Sequence, residues 1–358
     1  MKDFTIKKAG ARKLDARLNQ PFKIATGAHT ALENVLFYVQ LDGGITGWGE
    51  AAPAAHITGE TQEKTLSNLQ NLARGLEGRS VCDYQAVSME ISESLPQNRC
   101  ARTAVEAAML DALAQKLKMP VWKLFGPGCA PLHSDMTIVL GSVEEAQLAA
   151  KDIKRRGMSA YKIKLGGDAE LDFMRILAAA NAAPEMPVYL DANQAYSPKG
   201  MLRLVRELKD IKVRLEMIEQ PVKKEDWEGL REVTRKSGVC VCADEAVTGL
   251  ESVARIIRGG YAHAVNIKTA KFGFVLGAEM ARLCRAHGIR LMIGGMMESL
   301  LAMTASAHLA AGCGGFDFID LDTPFFIKDK VMRGGALSPS GVYSLAGVKS
   351  GLGVAPAD

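Results

Sequence analysis

Six ionisable residues stand where chemistry could be done: Lys162 and Lys164 together, then Asp191, Glu219, Asp244 and Lys268. They close short β-prone apolar runs, and from Lys164 the steps are 27, 28, 25 and 24 residues. Three carboxylates meeting in a cleft would repel and raise one another's pKa. A hard divalent cation removes that conflict, and oxygen-only ligands favour Mg2+, or Mn2+, over Zn2+. Asp191, Glu219 and Asp244 are therefore candidate metal ligands. Lys164 and Lys268 would flank a planar intermediate held on that metal, one at each face. Such a pair can remove a proton on one side and return it on the other. The problem this solves is an acidic proton beside a carboxylate, whose removal builds a second negative charge. A metal bound to both carboxylate oxygens stabilises that enediolate. Lys162 would add positive charge at the same place.

The period of these residues suits a strand, a loop, a helix and a return loop. Eight strands are expected: Met136–Leu140, Tyr161–Leu165, Val188–Asp191, Leu215–Glu219, Val239–Asp244, Ala264–Lys268, Arg290–Ile293 and Phe316–Leu321. Helical text lies between them, such as Gly277 to His287 before the seventh. Eight units point to a closed parallel barrel, whose strand ends converge at one mouth. The main rival is an open doubly wound sheet. A dinucleotide-binding version would want a glycine fingerprint after its first strand, and Gly166-Gly167 lacks that pattern. Residues two apart on a strand share a face, so Lys162 and Lys164 look together toward the mouth, as do Asp320 and Asp322.

Ahead of the barrel the text reads as α+β. Val35 to Val39, the turn Asp42-Gly43-Gly44, and Ile45 to Glu50 predict a hairpin. Arg99 to Leu117 places Val105, Met109, Leu113 and Leu117 on one helix face, and Pro120 favours a stop. The expected division is residues 1–130 as a capping domain, 131–330 as the barrel, and 331–358 as a Gly- and Ser-rich tail returning to the cap.

Composition narrows the function classes. The chain has 358 residues, 48% apolar and 23% charged, an ordinary globular balance with room for a large core. Its 44 basic and 40 acidic residues are interspersed, so nothing argues for nucleic acid or a membrane surface. The polar start Met1-Lys2-Asp3-Phe4 lacks a signal-peptide core, and no apolar stretch is long enough to span a bilayer. Seven cysteines, an odd number, do not suggest a disulfide framework, and Cys240 and Cys242 read as strand thiols. A cytoplasmic location fits these features.

The motifs Tyr161-Lys162-Ile163-Lys164, Asp191-Ala192-Asn193, Glu219-Gln220-Pro221, Ala243-Asp244-Glu245 and Asn266-Ile267-Lys268 together resemble the ordered set of the enolase superfamily, muconate-lactonizing subgroup. The likeness extends to Gly47-Trp48-Gly49-Glu50 in the cap and to Gly351-Leu352-Gly353 in the tail. It implies a modified TIM-type (β/α)7β barrel with an N-terminal α+β cap completed by the C-terminal tail. Lysine bases with Mg2+ are known for this superfamily. Ile319-Asp320-Leu321-Asp322 is similar to the Asp-x-Asp motif of the dipeptide epimerases. That resemblance implies that Asp320 and Asp322 hold the free ammonium of a dipeptide, through charge-assisted hydrogen bonds. It puts the substrate's C-terminal carboxylate on one Mg2+ and the exchanged proton on that residue's α-carbon. It also implies Thr137 and Met296 beside the substrate, and it allows a homo-oligomer.

The family's mobile loop corresponds to Pro21-Phe22-Lys23-Ile24-Ala25-Thr26-Gly27, with Thr26 or its neighbour where some Ala-Glu epimerases carry an Arg. The second loop, Ala52-Pro53-Ala54-Ala55-His56-Ile57, is small and apolar. Both lean toward neutral or hydrophobic side chains rather than glutamate. Lone His29 and His56 read as surface or packing residues. Alternatives remain at this point: an o-succinylbenzoate synthase, N-succinylamino acid racemase or cycloisomerase with the same site, whose substrates lack a free ammonium; a Schiff-base aldolase using one lysine; and a non-catalytic barrel that binds metal or peptide.

Overall fold

Alternation of β-prone runs with amphipathic segments builds the barrel. The structure, a computed structural model, describes residues 4–25 and 27–357, apart from the side chain of His56. Barrel strands β4 (Met136–Ile138), β5 (Tyr161–Lys164), β6 (Val188–Asp191), β7 (Leu215–Glu219), β8 (Cys240–Ala243), β9 (Ala264–Lys268), β10 (Arg290–Gly294) and β11 (Phe316–Ile319) pair in parallel, in chain order. Helices α4 (Val143–Arg155), α5 (Ala169–Ala182), α6 (Pro198–Asp210), α7 (Trp227–Lys236), α8 (Leu250–Gly259), α9 (Thr269–Ala286) and α10 (Leu300–Cys313) alternate with them. This is the (β/α)7β order. The curled sheet brings its ends together, where Asp135 N–H donates to Ile319 C=O at 2.8 Å.

Local chemistry starts these helices. Ser142 caps α4 in a reciprocal capping box with Glu145, and Asp168 caps α5. The helices then bury one apolar stripe against the strands, as Met201, Leu204, Val205 and Leu208 do on α6.

The cap is a three-stranded antiparallel sheet, β1 (Ile6–Ile24), β2 (Gly27–Leu41) and β3 (Thr46–Ala51), with helices that include α1 (Gln62–Leu76), α2 (Tyr84–Ser94) and α3 (Arg99–Lys116). The expected hairpin over Val35–Glu50 is present. Of the segment 21–27, expected as a loop, the described residues Pro21 to Ile24 and Gly27 belong instead to the ends of β1 and β2, where Phe22 pairs with His29 and Ile24 with Gly27. Phe22 and Ile24 alternate with polar Lys23, which suits a half-buried strand. Pro21, which cannot donate to a ladder, falls in the register shift between Arg17 and Phe22. Thr26 lies outside the described residues.

Gly47 and Gly49 have a spatial reason. A Cβ at either would collide with the backbone of α3 at Ala108 or Ala104, so β3 packs directly on that helix. Glu50 is thereby carried to the barrel. It accepts from Ser299 N–H at 2.9 Å and from Asn34 Nδ2 at 2.6 Å, and pairs with the Ser299 hydroxyl. The tail touches both parts: Gly351 C=O accepts from Val121 N–H at 3.0 Å, and Ser134 N–H donates to Gly341 C=O at 2.9 Å.

Candidate active site

Strand alternation aims Lys162 and Lys164 to one face of β5, and both are buried. Lys162 Nζ lies 3.0 Å from Asp191 Oδ2, 2.6 Å from Glu219 Oε2 and 2.8 Å from Asp320 Oδ2. Lys164 Nζ bonds Asp191 Oδ2 at 2.5 Å. On the sixth strand, Lys268 Nζ pairs with Asp244 Oδ2 at 2.8 Å. Asn266, two residues earlier on the same strand, donates to Glu219 Oε1 at 2.7 Å. Gln220 is structural: its Oε1 accepts from Asp244 N–H and Ala246 N–H, both at 3.0 Å, and so sets the turn after β8.

A cavity of about 470 Å³ at the mouth is lined by Lys164, Asp244, Lys268, Thr137, Met296, Asp320 and Asp322. Phe22, Ile24 and Ile57 of the cap also face it, as does Met297. Lys162, Asp191 and Glu219 lie beneath, fully buried. Thus every residue singled out for the site gathers at one end of the barrel.

Three acids whose oxygens lie within 4.8 Å of one another are Asp135, Asp320 and Asp322, rather than the strand-end trio Asp191, Glu219 and Asp244. The strand-end trio is instead interleaved with amines: Lys162 contacts Asp191 and Glu219, while Lys268 and Lys271 pair with Asp244. Asp322 accepts from Thr137 N–H at 2.6 Å. Asp135 was not foreseen, although it precedes Thr137 by two and so shares its strand face; both its oxygens are buried without a donor. Lys271, also unforeseen, donates to Asp244 Oδ1 at 2.9 Å from the first turn of α9.

Charge directions follow from these contacts. Burial alone would raise Asp191, but Lys162, Lys164 and Lys268 outweigh it and hold the carboxyl below its ordinary range. Asp244 is held low against burial by Lys268 and Lys271. Glu219 goes the other way: burial, then the charge of Asp191, pushes it up to about 7. Burial and Asp244 do the same to Glu245, also to about 7. Asp320 is kept low against burial by Lys162 and Lys164, whereas burial and Asp320 push Asp322 up to about 7. Lys268 is raised, because Asp244 and Glu219 overcome the burial that would lower it.

This donor set fits a hard cation. Asp191, Glu219 and Asp244 offer only oxygen, and Glu219 Oε2 and Glu245 Oε2 are buried without a well-aligned donor. Seven carboxyl groups (135, 191, 219, 244, 245, 320 and 322) face only four lysine amines (162, 164, 268 and 271). Only Asp191, Asp244 and Asp320 are held in the ionised range by those amines, and a bound cation would supply the positive charge that lets a raised acid such as Glu219 ionise as well.

Residues 8–126 match the mandelate racemase / muconate lactonizing enzyme N-terminal domain, and residues 144–358 match the enolase C-terminal domain-like family. The chain belongs to this enolase-superfamily family of barrel enzymes with an N-terminal cap. A hydrophobic dipeptide epimerase of Citrifermentans bemidjiense is 42% identical over 99% of this chain and 98% of its own length. An aromatic dipeptide epimerase of Herpetosiphon aurantiacus is 40% identical over 98% of each chain. A dipeptide epimerase of Enterococcus faecalis, solved with Mg and L-Leu-L-Tyr, superposes with a TM-score of 0.93 at 29% identity, covering 98% of this chain and 99% of that one. Among the described residues no helix is long and apolar enough to cross a membrane.

Proposed function

We propose that this chain is a Mg2+-dependent dipeptide epimerase, an isomerase that inverts the α-carbon of the C-terminal residue by 1,1-proton transfer. One observation carries the reading. Lys164 and Lys268 rise into one cavity from strands four apart in an eight-strand barrel, each beside a different acid of the same cluster. Full-length similarity to dipeptide epimerases supports it.

In this reading Lys164 takes the α-proton of one stereoisomer and Lys268 that of the other. The amine not acting as base returns a proton on the opposite face. Asp191, Glu219 and Asp244 would hold the cation. When bound, it supplies positive charge to these acids in place of the lysines, and to the negative charge that builds on the substrate carboxylate. Lys162 adds fixed positive charge beneath. Asp320 and Asp322 hold the substrate ammonium, so the spacing between ammonium and carboxylate sites measures a two-residue peptide. Thr137 fixes Asp322 through its backbone N–H, and Met296 packs at the cavity wall with Ala52 of the cap and Ala270. Phe22, Ile24, Ile57 and Met297 supply an apolar part of a lining that also holds Glu60, Arg99 and Lys224, and that apolar part supports neutral or hydrophobic side chains.

We assign residues 1–130, completed by 331–358, to the cap and 131–330 to catalysis. The tail's bonds from Gly351 to Val121 and from Leu352 to Asp111 support the return. Seven unpaired cysteines suit a reducing compartment, so we place the protein in the cytoplasm.

Incubation with hydrophobic dipeptides such as L-Leu-L-Tyr and Mg2+ in D2O tests the reading. Deuterium at the C-terminal α-carbon, with the epimer, is expected. No label across a broad dipeptide library overturns it.

A further inference from the structure

Behind β5, on the side away from the cavity, lies a polar cluster with no part in the chemistry above. Arg175 on α5 is 1% exposed, one of the largest fully buried side chains in the molecule. Its Nη1 donates to Lys164 C=O at 2.8 Å and to Asp172 Oδ1 at 3.2 Å, and its Nη2 donates to Val139 C=O at 2.8 Å. Those two carbonyls stand where the β4 and β5 ladders run out, so one guanidinium clamps the ends of adjacent strands. Asp172, also 1% exposed, holds the next stretch of chain. It accepts from Gly166 N–H at 2.9 Å, Gly167 N–H at 3.0 Å and the Tyr196 hydroxyl at 2.8 Å. Gly167 needs φ +91°, so this turn tolerates little change. Tyr196 comes from the loop that follows Asp191. The cluster therefore ties together the ends of three consecutive strands, which carry Thr137, Lys164 and Asp191.

Burying a guanidinium and a carboxylate costs several kcal/mol unless their hydrogen bonds are met. Here most are met by main chain rather than by side chains, apart from Arg175 Nε, which has no partner. Apolar residues of similar volume would fill the same space without that cost. What they would not supply is a donor to the Lys164 carbonyl, one residue's backbone away from the amine that moves the proton. A misplacement of about 1 Å in a reacting group can cost on the order of 100-fold in rate.

We infer that Arg175, braced by Asp172 and Tyr196, is a positioning residue for Lys164 and not for Lys268. This rests on the two-lysine reading above, and it predicts an asymmetry that a general loss of stability would not produce. The variants are Arg175→Met, which keeps bulk but donates nothing; Arg175→Lys, which can restore one bond; and Tyr196→Phe, which removes only the hydroxyl brace. Lys268→Ala identifies which stereoisomer Lys164 serves, since that variant exchanges the α-proton of that isomer alone.

Exchange of each stereoisomer is then followed in D2O. In Arg175→Met, exchange by Lys164 should fall at least tenfold more than exchange by Lys268, with Arg175→Lys between it and the parent. Tyr196→Phe should give a two- to threefold bias in the same direction, and it remains informative if Arg175→Met does not fold. Equal losses for both isomers, or none, overturn the inference. A second readout needs no substrate. Competitive acetylation, read by mass spectrometry, should show Lys164 labelled at least threefold faster in Arg175→Met than in the parent, with Lys268 unchanged. If the parent exchanges no dipeptide, the functional reading fails, while the labelling still decides whether Arg175 positions Lys164.

Discussion

The two lysines stand at equivalent strand ends but are held by different means. On the Lys164 side a buried ionic cluster inside the barrel wall fixes the main chain, through Arg175 and Asp172. On the Lys268 side the strand passes straight into α9, and the support comes partly from the cap. Thr103 of α3 donates its hydroxyl to Thr269 C=O at 2.6 Å, and Thr269 Oγ1 meets Ser306 Oγ of α10 at 2.8 Å. Glu106, also on α3, accepts from Phe274 N–H and from Val275 N–H at 3.1 Å, beside the kink at Gly273. Glu50 of β3 makes a separate cap–barrel contact through Ser299, the residue that caps α10. One base is thus held chiefly by a cluster within the barrel wall, with a single cap bond nearby from Leu140 N–H to Lys23 C=O at 3.1 Å. The other is set by how the cap sits on the barrel, so anything that shifts the cap acts first on Lys268.

The largest effects should come from removing the bases themselves. Lys164→Ala and Lys268→Ala should each lower inversion by at least about 1000-fold, within the range for general acid–base groups. Each should keep α-proton exchange for the opposite stereoisomer, measured by proton NMR in D2O. If either variant exchanged both isomers, the two-sided geometry would be wrong. Next in size, Asp322→Asn removes half of the ammonium clamp. A hydrogen bond to a charged group is worth about 1.5–3 kcal/mol, so kcat/KM for a dipeptide should fall about 10- to 100-fold, for both stereoisomers alike. The loss should be absent with a substrate whose amine is acylated.

A smaller change sharpens the contrast between the halves. Thr103→Val deletes the hydroxyl that reaches Thr269 and should cost about 1 kcal/mol, roughly fivefold, in exchange by Lys268. Exchange by Lys164 should hardly move. Equal effects would mean that the cap does not set the sixth strand separately.

The subtlest test uses pH. His308 lies on α10, two residues after Ser306, with Trp122 N–H donating to its Nδ1 at 3.1 Å and Leu352 C=O 3.1 Å from its Nε2. The first bond assigns the proton to Nε2. Burial lowers this imidazole from 6.5 to about 4, against the opposing pull of the Leu352 carbonyl. Its contribution to stability is therefore complete above pH 6.5 and lost as pH falls through 4. The expected loss is about 3 kcal/mol in all. Urea unfolding at pH 7 and pH 4.5, compared with His308→Gln so that other groups cancel, checks this. A parent and variant that lose stability in parallel would refute it.

Much of the site was legible before any coordinates. Lys162, Lys164, Asp191, Glu219, Asp244 and Lys268 could be placed because each ends a β-prone run at one period, and strand ends of a barrel share a mouth. Asp320 and Asp322 followed from alternation. The cap was less legible. The Pro21–Gly27 segment reads as a loop because Pro21 and Gly27 punctuate it, yet Phe22, Lys23 and Ile24 pair with His29, Ala28 and Gly27 at the end of a long hairpin. Asp135 was missed because its only local signal is a spacing of two from Thr137. Arg175 and Asp172 looked like ordinary charged residues on an amphipathic helix.

The sequence by itself determined the parallel barrel, its order and the set of charges that ring its mouth, because strand periodicity and residue type are local properties. Which charge answers which was settled only in three dimensions. Lys162 between three acids, Asp135 behind Asp320, Arg175 under Lys164 and Thr103 against Thr269 join residues far apart in the chain. A buried polar group must take its partner from whatever element packs beside it, and that neighbour is chosen by the fold as a whole.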